Sequence, residues 1–452
     1  MKSGSLQVDA GALRLIGCLE DAGYEAYVVG GCVRDAILGI EPNDWDICTS
    51  ALPEQVISLA RSCDFSVFET GIAHGTVSVH IDHASYEVTT YRSDGSYTDG
   101  RHPDQVTFLT SIEGDLARRD FTVNAMAYHP ERGLVDPYGG RADLGTGLLR
   151  AVGEPRRRFE EDGLRIIRAL RFASTYGFAI EAATSTAIHA QRQLLDRVAM
   201  ERISVEFLKL LCGKDVERIL MEYRDVIAVF LPQVEPMFDL PQYTRYHAYD
   251  VWEHSVRACG FAEPEPTARL AALIHDVGKP ACGYVDEAGV SHFHNHPSVG
   301  ADIARDICRH LKLPKAQCAV VETLVRYHDS RYSWVMHHIP EAILQLGEEQ
   351  VRQVFALMRA DLLAHSELGR DEGLERVAAA EAKLEQALRE MQAFSLHDLA
   401  ISGNDLREAG IEAGPVYGRV LNEALNRVAR GELPNDKQAL LAWAVAFSAQ
   451  AR

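Results

Sequence analysis

Over roughly the first 150 residues, short apolar runs alternate with polar breaks. AYVVGG (26–31) is an apolar run that ends in glycines, the pattern of a buried strand opening into a turn. WDICT (45–49), HGTVSVHI (74–81) and SYEVTTYR (85–92) are short and rich in β-branched residues, and they predict further strands. SDGSYTDGRHPD (93–104) clusters Gly and Asp and predicts a loop. After Pro155 the pattern changes. From Arg158 to the end it is helical with no sustained alternation, and Pro-containing breaks at 232–241, 262–266 and 433–436 read as joints between helical units. The expected class is α+β: a mixed head followed by a long helical body, with no fixed-period repeat.

Composition narrows this picture only slightly. A chain of 452 residues is long for one domain. Its 47% hydrophobic and 25% charged content is that of a globular protein. The net charge of −19 argues against indiscriminate coating of nucleic acid, but not against a local basic groove. Nine cysteines without a C-x-x-C pair predict no disulfide scaffold and a reducing, cytoplasmic setting. The start of the chain lacks a long apolar stretch, so no secretory signal is expected. No run of about 18 apolar residues predicts a membrane span.

The segment VVGGCVRDAILGIEPNDWDICTS (28–50) carries the first chemistry. Gly30 and Gly31 end a strand and open a helix, so backbone N–H groups and the helix dipole can approach an anion. Arg34 in the first turn adds a charge suited to phosphate. Asp44 and Asp46 stand at i and i+2, which on a strand puts both carboxylates on one face. Hard oxygen ligands beside a phosphate cradle suit Mg²⁺ and nucleotidyl transfer. A lone Gly-Gly or a lone Asp-x-Asp is usually a turn or a solvated loop. Their combination with Arg34 between two strands reverses that balance.

GGCVRDAILG (30–39) followed by DWDICT (44–49) resembles the head signature of the class II tRNA nucleotidyltransferases, the CCA-adding enzymes and their bacterial poly(A) polymerase relatives. RSDGSYTDGRHPDQVTF (92–108) resembles that family's flexible loop, DLARRDFTVNAMAY (115–128) its ribose-recognition segment, and RRRFEEDGLRIIRALRFAS (156–174) its base-reading helix. The resemblance implies a nucleotidyltransferase head with a mostly antiparallel mixed sheet, then an all-α neck, body and tail. Asp44 and Asp46 would be catalytic and hold Mg²⁺. Gly30, Gly31, Arg34 and Arg119 would bind the nucleotide, with Asp120 near the ribose. Glu87 is a candidate third carboxylate. A complete loop at 93–104 favours addition of all three nucleotides.

A continuous helix from about Arg158 to Ala173 would place Glu161, Asp162, Arg165 and Arg168 on one arc about 120° wide, opposite Ile166, Ile167 and Leu170. Such a face can be merely solvated. Yet an Asp acceptor beside an Arg donor matches the amino group and ring nitrogen on the Watson–Crick edges of cytosine and adenine, and mismatches guanine and uracil. A wrong base would cost on the order of 1–3 kcal/mol per lost contact. The resemblance gives that role to Asp162 and Arg165, and nucleotide contacts to Arg168 and Arg171. Gly163 stands where relatives more often have Pro or Ala, and its cost in a first helical turn is expected to be under about 1 kcal/mol. Arginines 118, 119, 156, 157, 158, 165, 168 and 171 crowd this head–neck junction and predict its RNA-facing side.

The body carries a second constellation: His254, His275–Asp276, His296, His328 and Asp361. Histidines and aspartates converging from several helices suit one or two divalent cations. The order resembles the HD phosphohydrolase superfamily, which implies His254, His275, Asp276 and Asp361 as the basic metal set and His296 and His328 as ligands of a second metal, whether Mn, Ni, Fe or Mg. Pro297 replaces the Glu that often follows the matching histidine. The tail at 399–436 resembles the end of family members, and its Gly-rich turn suits RNA contact and helix packing equally.

The expected division is a head (1–153), a neck (154–240), an HD-type domain (241–365) and a tail (366–452). The expected activity is addition of C, C and A from CTP and ATP to the tRNA 3′ end. A poly(A) or A-only enzyme on the same fold is the neighbouring alternative. An HD phosphohydrolase with a regulatory nucleotide-binding head is the alternative of another class. The sequence does not determine oligomeric state.

Overall fold

The structure, a computed structural model, describes residues 6–68, 71–72, 75–94 and 106–450. The chain divides into two compact units, Met1–Phe230 and Leu231–Arg452. The boundary lies at the edge of the proline-containing break read at 232–241.

The first unit is built on β1 (Ala26–Val29), β2 (Ile47–Thr49), β3 (Ser66–Phe68), β4 (Thr76–Ile81), β5 (Ala84–Thr90), β6 (Arg92–Asp94), β7 (Val106–Phe108), β8 (Ala127–His129) and β9 (Gly133–Val135). Seven of these form one sheet in the order β3-β4-β5-β2-β1-β8-β9. Only β2 and β5 run parallel; the other pairs are antiparallel, which is the mostly antiparallel mixed sheet expected. β1 is buried at every position, as its unbroken apolar run requires of a central strand. β5 alternates buried and exposed positions toward its end and so has one solvated face. β3, β8 and β9 are three-residue strands that the pattern did not announce.

Helices α1 (Ala10–Asp21), α2 (Gly31–Leu38), α3 (Pro53–Ser62), α4 (Ile112–Ala117) and α5 (Gly140–Thr146) accompany the sheet. α1 starts at Asp9, whose carboxylate accepts the Ala12 N–H at 3.0 Å and the Tyr86 hydroxyl. Against the expectation of no disulfide scaffold, Cys18 of α1 and Cys63 just after α3 are joined as a disulfide; these two helices pack together. The other seven cysteines form no disulfide. β6 and β7 pair as the stem of the loop read at 93–104, but residues 95–105 of that loop lie outside the described residues.

The helical part begins with α6 (Pro155–Glu161), α7 (Leu164–Tyr176), α8 (Ala182–Gln191), α9 (Met200–Leu211), α10 (Val216–Glu222) and α11 (Arg224–Phe230). The long helix expected from Arg158 to Ala173 is therefore two helices. Asp162 is extended, with φ −147° and ψ 105°, and ends α6. A short parallel pair, β10 (Leu148–Leu149) with β11 (Ala179–Ile180), ties head to neck.

The second unit comprises α12 (Val251–Phe261), α13 (Pro266–Ile274), α14 (Lys279–Cys282), α15 (His296–His310), α16 (Lys315–Tyr327), α17 (Trp334–His337), α18 (Ile339–Leu346), α19 (Glu348–Leu363), α20 (Glu367–Glu390), α21 (Gly403–Glu408), α22 (Pro415–Ala429) and α23 (Lys437–Gln450). The joints at 262–266 and 433–436 fall between helices as expected. One hairpin, β12 (Gly283–Val285) with β13 (Ser291–Phe293), stands within the part read as almost entirely helical. In the tail, Leu406, Ile411, Val420, Ala424 and Leu440 form one buried cluster. The Tyr417 hydroxyl donates to the Ile411 carbonyl, so the Gly-rich turn is packed onto that cluster.

Candidate active site

The central strands of the head sheet gather the first site. Gly30 adopts φ +82°, and a Cβ there would lie 2.7 Å from Arg119 Nη1. Only glycine meets both conditions. α2 follows with no side-chain cap and no acidic residue in its first turn, so its leading N–H groups stay available to an anion. Asp44 and Asp46 lie in the extended lead-in to β2, with the Asp46 carbonyl accepting the Val29 N–H at 2.9 Å. The parallel register pairs Ile47 with Val88, which brings Glu87 of β5 beside Asp46. Burial, reinforced by the negative charges of Asp44 and Glu87 and only partly relieved by Arg119, pushes the Asp46 carboxyl up to about 6. Arg119 Nη2 reaches Asp115 at 3.3 Å, while its buried Nε has no hydrogen-bond partner. Crowded carboxylates and an unsatisfied guanidinium donor fit a divalent cation with a phosphate between them.

Arg34 is held more tightly than the sequence suggests. It is buried, donates to Asp35 through Nε and Nη2 at 2.9 Å and to Asn124 Oδ1 at 2.5 Å, and lies over the rings of Phe172 and Tyr176. Its charge therefore fixes α2 against α7. Asp120 is likewise internal: it accepts Arg168 Nε and Nη2 at 3.0 and 2.7 Å, and Asn124 Nδ2 at 3.0 Å. Burial would raise its carboxyl, but Arg168 and these hydrogen bonds win and hold it at about 2.

The break between α6 and α7 changes the geometry of the base-reading segment. Asp162 is off the helical wheel. Its Oδ1 accepts the Leu164 N–H at 3.0 Å, and its Oδ2 lies 3.3 Å from Arg202 Nη2 of α9. Arg165 donates to Glu161 at 2.8 Å and to the Arg158 and Arg118 carbonyls at 3.0 Å, joining three segments. Those bonds use three of its five N–H groups, and the Asp162 carboxylate has acceptor sites to spare, so both retain capacity for a base edge. Arg168 and Arg171 converge on Glu206 of α9. Asp115, Asn124, Glu206 and Arg202 are thus functional partners that the sequence reading missed. Of them only Asp115 had a signal, three and four residues before Arg118 and Arg119. Gly163 also gains a reason: a Cβ there would lie 2.8 Å from the Leu194 carbonyl oxygen.

The second unit brings all six residues of the second constellation together. The Nδ1 atoms of His275, His296 and His328 each lie 2.7 Å from a backbone carbonyl three residues earlier. A proton on Nδ1 satisfies that carbonyl and leaves the Nε2 lone pair pointing inward. Asp276 Oδ2 lies 3.1 Å from His275 Nε2 and 3.5 Å from His254 Nε2. Its Oδ1 lies 3.4 Å from His296 Nε2 and 3.6 Å from His328 Nε2. Asp361 Oδ1 accepts His254 Nε2 at 2.9 Å. Burial pushes His254 down to about 4. Burial acts in the same direction on His275, but the Asp276 and Asp361 carboxylates outweigh it and push this ring up to about 10. The carboxylates thus draw positive charge to the spot where a cation would stand. Among the described residues, three His and Asp groups have donor atoms within 4.8 Å of one another, and all involve this site. Asp44, Asp46 and Glu87 do not meet that distance as a trio. The His–Asp site opens on a cavity of about 1280 Å³ lined also by Lys279, Arg245, Arg326, Arg331 and Arg376.

Comparison with known proteins agrees with this arrangement. Residues 26–150 match the family model of the poly A polymerase head domain, residues 177–238 that of an RNA- and SrmB-binding site of polymerase A, and residues 296–444 that of tRNA nucleotidyltransferase domain 2. The class is a nucleotidyltransferase. The CCA-adding enzyme of Levilactobacillus brevis is 35% identical over 430 residues, which is 94% of this chain and 94% of its own. The crystal structure of the Bacillus stearothermophilus CCA-adding enzyme in complex with CTP covers 97% of each chain at 29% identity, with a TM-score of 0.72. A Thermotoga maritima CCA-adding enzyme complexed with tRNA shares the fold at 20% identity and a TM-score of 0.60. The chain belongs to the CCA-adding enzyme family. Among the described residues, no helix is long and apolar enough to cross a membrane.

Proposed function

We propose that the chain adds C, C and A to tRNA 3′ ends in the cytoplasm, with Asp44 and Asp46 as its catalytic carboxylates. The observation that carries this reading is the Asp46 carboxylate, raised to about 6 beside Asp44, Glu87 and Arg119, in a chain whose relatives match it over nearly its whole length. The terminal hydroxyl oxygen attacks the α-phosphate of CTP, twice, then of ATP; a new P–O bond forms and pyrophosphate leaves. Mg²⁺ held by Asp44 and Asp46 would lower the pKa of the attacking hydroxyl and offset the charge that develops. Gly30, Gly31, α2 and Arg119 cradle the triphosphate. Arg34, Arg168 and Arg171 position that cradle through Asp35, Asp120 and Glu206. Asp162 and Arg165 read the base. The reading divides the chain into head (1–153), neck (154–240), HD-type body (241–365) and tail (366–452).

The test is primer extension on a tRNA lacking its terminal nucleotides, with labelled CTP and ATP supplied separately and together. Addition of two C residues from CTP alone and one A thereafter is expected. A ladder of A residues would favour the poly(A) alternative, and ATP use without CTP use the A-only one. Incorporation should fall by at least about 10³-fold in Asp44→Ala or Asp46→Ala; retained activity in either overturns the two-carboxylate assignment.

A second activity is favoured by the Nε2 atoms of His254, His275, His296 and His328 gathered around Asp276 and Asp361: metal-dependent hydrolysis of a phosphate ester in the second unit. A divalent cation there would activate water. His275→Ala should abolish hydrolysis of bis(p-nitrophenyl) phosphate while CCA addition continues. Hydrolysis that survives this change would remove the assignment.

A further inference from the structure

The His–Asp cluster does not end with the six residues found in the sequence. Asp276 stands between two histidine pairs, His254 with His275 and His296 with His328, each facing one of its oxygens. Asp361 faces its histidines through one oxygen. Its Oδ1 lies 2.9 and 3.5 Å from the Nε2 atoms of His254 and His275, and 3.4 Å from Nε2 of His365. His365 is four residues after Asp361, just past the end of α19. Next to it stands His247. The rings of His247 and His365 are 4.5 Å apart, and donor atoms of His247, His254 and His365 all lie within 4.8 Å of one another. His365 thus joins the cluster at Asp361, and His247 joins it through His254 and His365.

Two further observations show that the third pair is built. The segment bearing His247 is pinned to the segment bearing His365, because Ser366 N donates to the Tyr246 carbonyl at 2.9 Å and Ser366 Oγ to the Arg245 carbonyl at 2.8 Å. His247 Nδ1 is buried and has no hydrogen-bond partner. A histidine kept only for packing would satisfy that nitrogen. Both rings line the 1280 Å³ cavity, so an ion can reach them.

We propose that His247 and His365, together with His254, hold a third divalent cation beside the two implied by the other pairs. The proposal rests on the reading of the His–Asp cluster as a metal site. The test uses the full chain with Asp44→Asn and Asp46→Asn, so that the head contributes no metal, crystallised with Mn²⁺ and inorganic phosphate. Anomalous scattering should give three peaks in the second unit, one of them bonded to His247 and His365. Bound Mn²⁺ should fall from three per chain to two in His365→Gln and in His247→Gln. Two peaks confined to the pairs around Asp276, or an unchanged count of three in both variants, overturns the third position. No peak at any of the six histidines overturns the underlying metal reading as well.

Discussion

Asp46 is under two opposing demands: the chemistry needs its charge, and the fold resists it. Its carboxyl is raised from 3.8 to about 6 by burial and by its acidic neighbours. A raised carboxyl pKa means that the folded state binds the proton more tightly than the unfolded chain. This stabilisation is complete below about pH 4 and is lost as pH rises through about 6. Without metal, the ionised side chain should cost about 1–2 kcal/mol at pH 8, a value discounted for the partial exposure of the residue. Asp46→Asn should therefore raise the melting temperature of the metal-free protein at pH 8 and leave it nearly unchanged at pH 4, while incorporation is lost. An equal shift at both pH values would show that the carboxylate is not the source of the strain. Base choice is decided at the same scale. Asp162→Asn keeps the Leu164 contact through its amide oxygen but exchanges an acceptor for a donor. It should raise misincorporation of GTP or UTP relative to ATP and CTP, measured with each nucleotide alone; unchanged discrimination would remove Asp162 from base reading.

Among the elements, the junction of α6 and α7 shows best what the chain made legible and what it hid. Apolar spacing located α7 and its buried face, Ile166, Ile167 and Leu170, because a helix of 13 residues samples its period several times. The interruption at Asp162–Gly163 was invisible, since either residue fits a helical pattern and the group that excludes a side chain at Gly163 lies 31 residues later, at Leu194. Gly163→Ala should accordingly cost about 1–3 kcal/mol in urea denaturation, above the cost expected for the residue exchange in an open first turn. A neutral effect would mean that the Leu194 segment yields freely. The strands follow the same rule. β1, β2, β4 and β5 were readable from runs and alternation, whereas β3, β8, β9 and the β12–β13 hairpin are too short to show a period. In the candidate sites, Asp44, Asp46 and the six His–Asp residues were readable because their chemical types recur at telling intervals. His247 and His365 were not, because each is an ordinary residue until the fold sets it beside the other.

Across the molecule, the arginine-rich junction differs in character from what its composition implies. Of the eight arginines, Arg118, Arg119, Arg157, Arg158, Arg165, Arg168 and Arg171 each have a carboxylate within 4 Å. Of the eight, Arg156 makes no ion pair with a described residue. Arginines already neutralised inside the protein release few counterions when RNA arrives. Eight phosphate contacts would give a log–log salt slope near about −6 for single-stranded RNA. A slope shallower than about −4 is expected for binding of a tRNA lacking its terminus, measured by titration between low and physiological salt. A slope near the full value would mean that RNA displaces the internal carboxylates. The junction is better described as a stiff ionic lattice that shapes the cleft than as a bare positive patch.

The parallel pairing of β2 with β5 has a consequence for how the protein comes into being. Asp46 and Glu87 lie on strands separated by β3 and β4, so no local segment of the chain contains both halves of the carboxylate cluster. The β4–β5 hairpin can form early from neighbouring residues, but it has to dock against β2 before these side chains meet. During synthesis, Asp44 and Asp46 therefore lack their Glu87 neighbour until that long-range step is complete. The raised pKa of Asp46, which Glu87 helps to produce, would be complete in a refolding experiment only once the sheet closes.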